Sequence, residues 1–173
     1  SKRAPFRPLL KDVKHVPFGD ITAMRKAVSK KTAMVIVEPI LGEAGVVTPP
    51  EGYLKQLRAL CDQHGVLLVF DCVQTGMGRT GHWFGYEHEN VRPDVLILGK
   101  ALSGGVYPVS AVLANDSIMD VIKPGQHGST FGGNPIAAAV AVAALEVIRE
   151  EKLAQNAERL GAVLRKGLNK IAE

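Results

Sequence analysis

The sequence predicts an α/β fold in which a mainly parallel β-sheet is covered by helices. Four short runs are apolar along their length, without clean alternation of apolar and polar residues. Such runs are typical of strands that are buried on both faces of a parallel sheet. At least one segment with apolar residues at helical spacing separates two of these runs, and it supplies the crossover that parallel strands need.

The first half of the chain contains a strand, a helix and a second strand in that order. After an irregular start with several prolines, Asp20 is placed to cap a short helix that runs to about Val28. Residues 33–38 form the first apolar run, which we interpret as a buried strand. Residues 49–65 begin with two prolines, continue with apolar residues at helical spacing and end at a glycine, and the second run, 66–70, follows directly.

The second half of the chain contains two more apolar runs and then two helices. The runs cover residues 95–98 and 109–113. Asn134 and a following proline begin an alanine-rich helix that continues to about residue 150, and residues 153–172 have the pattern of another helix. Nothing repeats internally, and no low-complexity linker divides the chain.

Composition excludes several classes of function. The 173 residues are 46% hydrophobic and 22% charged, and the net charge of +4 comes from basic residues scattered among acids. This balance is typical of a folded, soluble protein, and it argues against a nucleic-acid partner. No apolar run approaches the roughly 18 residues that span a bilayer. Neither the five histidines nor Cys61 and Cys72 have metal-site spacing, so we expect no metal and two free thiols in a reducing compartment.

Polar side chains follow three of the four predicted strands. Glu38 ends the first run, with Glu43 in the loop beyond it; Asp71 follows the second run, with Gln74 close by; and Lys100 follows the third. Ligands in open α/β sheets gather beyond the carboxyl ends of the strands. These positions are therefore the first candidates for a binding or catalytic site.

Lys100 and Asp71 each have an ordinary explanation and a functional one. A lysine after a strand is usually a solvated surface residue, and an aspartate there often caps a helix or makes a turn. However, Lys100 lies between a buried strand and the glycine-containing loop 103–105, where a ligand can approach closely, and a lysine amine can attack a carbonyl carbon to form an imine. Asp71 ends an apolar strand, where a carboxylate needs a partner of opposite charge.

The loop around Ser129 and Thr130 precedes a helix and has two possible interpretations. Hydroxyl and backbone donors close to a helix start suit a phosphate group. Serine, threonine and glycine are also common in turns, so the same residues are consistent with a flexible loop whose only task is to cap the helix at Asn134.

Four segments, taken together and in order, carry a family resemblance. They are VEPILGEAG at 37–45, FDCVQTGMGRTG at 70–81, PDVLILGKALSGGVYPVSAVL at 93–113 and HGSTFGGNP at 127–135. This set resembles the class III aminotransferases, and within that class it is most similar to the ornithine-specific enzymes. The resemblance implies the large domain of a fold-type I enzyme that uses pyridoxal 5'-phosphate.

The resemblance also implies a role for each candidate residue near the cofactor. Lys100 is the lysine that holds the cofactor as a Schiff base, and Asp71 is the partner of its pyridine nitrogen. Val73 packs on one face of the ring, and Gln74 donates a hydrogen bond near the phenolic oxygen. Ser129 and Thr130 reach the phosphate of the neighbouring subunit's cofactor, which implies a homodimer with shared active sites.

Glu43 concerns substrate specificity, and Cys72 is a departure from the family pattern. Glu43 resembles a glutamate that pairs with an arginine when an ω-amine is bound and releases it for an α-carboxylate; the alternative is an exposed loop glutamate. Cys72 replaces the glutamate that usually follows the aspartate. Because neighbouring residues at a strand end point in opposite directions, this change affects the support of Asp71 more than catalysis itself.

The implied activity is transfer of the δ-amino group of L-ornithine to 2-oxoglutarate, giving glutamate 5-semialdehyde and glutamate. Alternatives are transamination of acetylornithine or γ-aminobutyrate, and a noncatalytic chain that acts only in subunit association. The resemblance places residues 1–150 in the cofactor-binding large domain and 151–173 in a helix towards a small domain. The family's upstream phosphate loop and downstream arginine are not in this sequence, so residues 1–173 alone are expected to be inactive. We expect a cytoplasmic or mitochondrial matrix protein, neither secreted nor bound to a membrane.

Overall fold

A four-stranded sheet forms the centre of the molecule in the computed structural model, which describes residues 4–172. The strands are β1 (Met34–Val37), β2 (Leu67–Asp71), β3 (Val95–Leu98) and β4 (Ala111–Ala114), and they lie in that order across the sheet. The first three are parallel, and β4 runs antiparallel to β3. The prediction of an α/β fold with a mainly parallel sheet is confirmed.

Five α-helices accompany the sheet in the described part of the chain. They are α1 (Ile21–Ala27), α2 (Tyr53–His64), α3 (Asp116–Met119), α4 (Pro135–Glu150) and α5 (Leu153–Ala172). None of the helices between residues 4 and 172 has the length and apolar character needed to cross a membrane.

Local sequence explains where three of these helices begin or end. The Asp20 side chain accepts a hydrogen bond of 2.8 Å from the backbone nitrogen of Ala23 and so caps α1. The Asn134 side chain accepts one of 2.9 Å from Ala137 and caps α4 in the same way. Gly65 ends α2 with a φ of 66°, a conformation that glycine adopts without steric cost.

The hydrophobic core lies between α2 and one face of the sheet. Leu54 and Leu57 of α2 pack into the same buried cluster as Leu68 and Phe70 of β2. β1 contributes only alternate residues to it, because Met34 and Ile36 are 52% and 58% exposed. The expectation that the apolar runs are buried on both faces was therefore wrong for β1, which has one face open among the described residues. It was also wrong for β4, whose residues are all half-buried or exposed. Both strands lie at the sides of the sheet, each with only one neighbouring strand.

An ion-pair network joins α2 to the start of β3. Arg58 lies 2.8 Å from the Asp94 carboxylate and 2.7 Å from that of Asp62. Asp94 also accepts a hydrogen bond of 2.7 Å from the backbone nitrogen of Leu68 in β2. Burial alone would lower the pKa of Arg58, but its hydrogen bonds to Asp94 and Asp62 outweigh burial and raise the pKa. The network fixes the amino end of β3 against its neighbours.

Candidate active site

The carboxyl ends of β2 and β3 bring the main candidate residues to one edge of the sheet. Asp71 is the last residue of β2, and it lies opposite Ile97 of β3. Lys100 comes two residues after the end of β3. The backbone nitrogen of Cys72 donates a hydrogen bond of 2.9 Å to the Ile97 carbonyl, which keeps the two chain segments together beyond the last strand pair.

Lys100 begins a short 3₁₀ turn, Lys100–Ser103, and has an unusual backbone conformation. Its φ is 45°, in the left-handed region that residues other than glycine seldom adopt. Such a conformation costs about 1 to 3 kcal/mol and is often found at functional sites. Helix α4 packs against this turn. The Lys100 side chain is exposed, and it makes no ion pair or hydrogen bond with residues 4–172.

Val73 lies next to the chain segment that carries Lys100. A β-carbon built on Gly99 would lie 3.4 Å from Cγ1 and 3.5 Å from Cγ2 of Val73, which is van der Waals distance. The Asp71 side chain accepts a hydrogen bond of 3.0 Å from the backbone nitrogen of Val73. The structure thus groups Asp71, Val73 and the Gly99–Lys100 segment, all of which the sequence had indicated.

Gln74 and Glu43 form a direct contact between two loops. The Nε2 of Gln74 donates a hydrogen bond of 3.0 Å to Oε1 of Glu43. Glu43 is exposed and Gln74 is half-buried. The two residues are 31 positions apart in the chain, and their contact joins the loop after β1 to the loop after β2.

A cavity of about 510 Å³ opens beside Lys100. Its lining comes from the loop that leads to β4 and from the start of α4: Lys100, Tyr107, Pro108, Val109, Ser110, Phe131, Gly132, Gly133, Asn134 and Ala137. Ser129 and Thr130 lie just outside this lining and are exposed. The Ser129 hydroxyl accepts a hydrogen bond of 3.0 Å from the backbone nitrogen of Gly132 within its own loop.

Residues 107–110 line the cavity but were not among the candidate residues. They precede β4, and because β4 is antiparallel to β3, it begins at the edge where β3 ends. The sequence did contain a signal for this arrangement. The connection between the two strands spans 12 residues, 99–110, and includes only one short 3₁₀ turn, so a helical crossover was not available to make the pair parallel.

Cys72 belongs to the buried core cluster and is 1% exposed. Burial raises the pKa of its thiol to about 11. The thiol is therefore neutral at ordinary pH. Cys61 is likewise buried, and both cysteines are free. No group of three or more metal-binding side chains occurs within residues 4–172.

The chemistry of this residue set fits a pyridoxal phosphate. An exposed amine at Lys100 suits an aldehyde, the Asp71 carboxylate suits a protonated pyridine nitrogen, and the Val73 methyl groups suit a ring face. Gln74 offers an amide donor whose second N–H is available besides the one that contacts Glu43.

The class-III aminotransferase family model matches residues 3–173. The chain belongs to this family. The resemblance indicated by the four motifs is thus confirmed, and pyridoxal phosphate is the cofactor that class III aminotransferases use.

Among curated relatives, ornithine aminotransferase 1 of Staphylococcus aureus strain MRSA252 is 55% identical over 166 residues, which are 96% of this chain and 42% of the relative. The acetylornithine aminotransferase of Methanopyrus kandleri is also 55% identical, over 159 residues, which are 92% of this chain and 41% of that protein. The chain therefore spans about two fifths of the length of these class III relatives.

A solved structure of the same class shares the fold. The ornithine aminotransferase of Toxoplasma gondii, crystallised with oxidised glutathione, has pyridoxal phosphate at partial occupancy in its active site. It matches 96% of this chain and 39% of its own length, with a TM-score of 0.94 and 49% sequence identity. The fold-type I architecture predicted for this class III chain is confirmed.

Proposed function

We propose that the protein that contains this chain transfers the δ-amino group of L-ornithine to 2-oxoglutarate, giving glutamate 5-semialdehyde and glutamate. One observation carries the proposal. Lys100, in a strained turn beside a cavity, follows the strand adjacent to the one that ends at Asp71. Similarity to the ornithine aminotransferase of Staphylococcus aureus supports the choice of ornithine.

In this proposal Lys100 has two tasks. Its amine would hold the cofactor covalently, and the same amine, when free, would take a proton from the substrate carbon. The bound cofactor supplies an electron sink for the charge left on that carbon. The exposed position of Lys100, without an ion pair among the described residues, leaves its amine available for both tasks.

Asp71 keeps the pyridine nitrogen protonated. Two opposite unit charges about 4 Å apart interact by roughly 4 kcal/mol at an effective dielectric constant near 20. Asp71 is half-buried and uses one of its oxygens to accept the hydrogen bond from Val73. Its other oxygen would be available for the nitrogen, and the Val73 methyl groups would pack against one face of the ring.

Four further residues complete the proposed site. Gln74 donates a hydrogen bond to the cofactor's phenolic oxygen. Glu43 pairs with an arginine when an ω-amine is bound, and it releases this arginine when an α-carboxylate is bound. Ser129 and Thr130 bind the phosphate of the partner subunit's cofactor in a homodimer. Their exposure is what this arrangement requires, because the ligand lies in the other subunit.

Acetylornithine is the second candidate substrate, because a relative of that specificity is 55% identical to this chain. Transamination of γ-aminobutyrate and a noncatalytic role in subunit association are the remaining alternatives.

The test is to purify the full-length protein with pyridoxal phosphate and to measure kcat/KM for ornithine, acetylornithine and γ-aminobutyrate with 2-oxoglutarate. Ornithine is expected to give the largest value. A larger value for either other amine would replace ornithine as the substrate, and no turnover with any of them would leave the noncatalytic role.

The same assay tests whether residues 1–173 are sufficient. We expect this chain by itself to be inactive and to bind pyridoxal phosphate weakly, since it spans about two fifths of the class III relatives. Substantial turnover by residues 1–173 would contradict this expectation.

For location we propose the cytoplasm or the mitochondrial matrix, because both compartments are reducing and suit two buried free thiols. Cell fractionation tests that proposal.

A further inference from the structure

Glu38 is a half-buried carboxylate at the ligand edge of the sheet that has no task in the proposed function. It comes directly after β1, and its Oε2 accepts a hydrogen bond of 3.2 Å from the backbone nitrogen of Gly42. A hydrogen bond in which the acceptor is ionised is stronger than a neutral one. Glu38 therefore attaches the following loop to the end of the strand.

The loop that Glu38 holds is a closed turn. The backbones of Leu41 and Val47 exchange two hydrogen bonds, of 3.0 and 2.9 Å. Inside the turn, the Gly42 carbonyl accepts from the nitrogens of Gly45 and Val46, each at 3.2 Å. With the bond from its nitrogen to Glu38, Gly42 is fixed through both of its backbone groups.

Gly42 also lies in close contact with Gln74. A β-carbon at position 42 would lie 2.7 Å from Cδ and 2.9 Å from Nε2 of Gln74, which is closer than non-bonded atoms approach. Only glycine allows the Gln74 amide to lie at this place. The turn and the loop after β2 are thus in contact at a position that has no space for a side chain.

This contact decides where Glu43 lies. Glu43 follows Gly42, is exposed, and accepts the hydrogen bond of 3.0 Å from Gln74. An exposed glutamate on a loop without such a partner would populate many rotamers and would lose any fixed position. The Glu38 carboxylate accepts the hydrogen bond from Gly42 and so fixes that residue. The lack of a side chain at Gly42 leaves room for the Gln74 amide, which donates the hydrogen bond to Glu43.

We infer that Glu38 is a positioning residue that determines substrate preference through Glu43, with Gly42 as the small residue that this arrangement requires. The inference rests on the proposed function, in which Glu43 decides between an ω-amine and an α-carboxylate. Glu38 acts on the preference without contact with the substrate. Its effect therefore depends on Glu43 being present.

The experiment compares variants of the full-length protein with bound cofactor. The measured quantity is the ratio of kcat/KM for ornithine to kcat/KM for glutamate as amino donor. Glu38→Ala is expected to lower this ratio roughly tenfold, the effect of losing one net hydrogen bond. Glu38→Gln retains an oxygen that can accept from Gly42, so its ratio should stay close to that of the wild type. Gly42→Ala should lower the ratio because its methyl group displaces Gln74.

Glu89→Ala is the matched control. Glu89 is also half-buried and accepts a backbone hydrogen bond of similar length, 3.1 Å from Lys55. It ends the 3₁₀ helix Gly85–Glu89, and its carboxylate makes no hydrogen bond with Glu43 among the described residues. This variant tests what the loss of such a bond does to folding alone. Its substrate ratio should equal that of the wild type, even where its melting temperature falls.

Two measurements separate positioning from a general structural effect. Glu38→Ala made in a Glu43→Ala background should leave the ratio where Glu43→Ala alone places it, because the residue through which Glu38 acts has been removed. Binding of glutarate, a dicarboxylate without a reacting amine, is followed by calorimetry. Glu38→Ala should tighten glutarate binding several-fold in the protein that retains Glu43, and should leave it unchanged in the Glu43→Ala background.

The inference is overturned if Glu38→Ala keeps the wild-type ratio, or if it lowers the ratio equally with and without Glu43. Glu38→Asp, which keeps the charge but shortens the reach, replaces Glu38→Ala if that variant fails to fold, and it should change the ratio in the same direction. A wild-type protein with no activity towards any ω-amine would refute the proposed function as well. An active wild type with an unchanged ratio in the variants would refute the inference alone.

Discussion

The charged residues at the amino ends of the strands and those at the carboxyl ends differ in how completely they are paired within the protein. At the amino end of β3, Asp94 accepts from Arg58 at 2.8 Å and from the Leu68 nitrogen at 2.7 Å. At the carboxyl edge, Asp71 accepts only from the Val73 nitrogen, and Lys100 has no partner, within residues 4–172. Both regions are partly buried, yet among the described residues only the charges at the amino end are paired with opposite charges of the protein.

This difference indicates which charges serve the fold and which are available to a ligand. A charged group that the protein pairs fully contributes to the position of its own elements. A group that keeps unused hydrogen-bonding capacity at a strand end can bind something else. Substitutions at the carboxyl edge should therefore affect turnover with little effect on stability, and substitutions at the amino edge should do the reverse.

The largest effect is expected for Lys100→Ala. Because the attachment to the cofactor and the proton carrier are lost together, kcat should fall by several orders of magnitude. Stability should change little, since the Lys100 side chain is exposed. Single-turnover kinetics measure the loss of turnover, and thermal melting measures the change in stability. Lys55→Ala is the control, because Lys55 is an exposed lysine on α2. Retention of turnover within tenfold of the wild type would remove Lys100 from the site.

Asp71→Asn is expected to have the next largest effect. Asparagine keeps the volume and can still accept from Val73, but it carries no charge to hold the pyridine nitrogen protonated. Turnover should fall roughly a hundredfold to a thousandfold, with a smaller change in substrate binding. Steady-state kinetics on protein with measured cofactor content would check this. Near-normal turnover with the cofactor still bound would show that another group protonates the ring.

Arg58→Met tests the amino edge. Methionine retains most of the apolar stem but leaves Asp94 without its charged partner, which should reduce the free energy of unfolding by about 1 to 3 kcal/mol. The kcat of the folded protein should stay close to that of the wild type. Urea unfolding, monitored by circular dichroism, gives the stability. A variant that loses turnover but no stability would reverse the assignment of the two edges.

The smallest effect is expected for Glu43→Ala. Removal of the carboxylate should shift the preference from the δ-amine of ornithine towards α-amino acids by roughly tenfold, about 1.4 kcal/mol. The ratio of kcat/KM for ornithine and glutamate measures the shift. An unchanged ratio would return Glu43 to an ordinary loop residue whose hydrogen bond to Gln74 has no consequence for specificity.

The sequence predicted the parts of the site that depend on strand ends. Asp71 and Lys100 follow apolar runs whose bounds were visible in the chain, and helix starts such as Asn134 depend on local hydrogen bonds. The open face of β1 was not predicted, because an apolar run does not reveal which of its faces is covered.

Contacts between distant residues were also beyond prediction from pattern alone. The bond between Gln74 and Glu43 spans 31 positions, and the pair of Arg58 and Asp94 spans 36. Neither spacing has a local signature, because each contact depends on how loops and helices pack around the sheet. The position of residues 107–110 did have a signal in the sequence, because the connection 99–110 between β3 and β4 holds no helix long enough for a parallel crossover.

The most direct test of the account is to find where the cofactor becomes attached. The full-length protein is loaded with pyridoxal phosphate, reduced with borohydride, digested and mapped by mass spectrometry. We predict a single major adduct on the peptide that contains Lys100, and loss of that adduct in Lys100→Ala. An adduct solely on another lysine, or an equal yield of adduct in Lys100→Ala, would contradict the assignment of the carboxyl edge of the sheet as the catalytic edge.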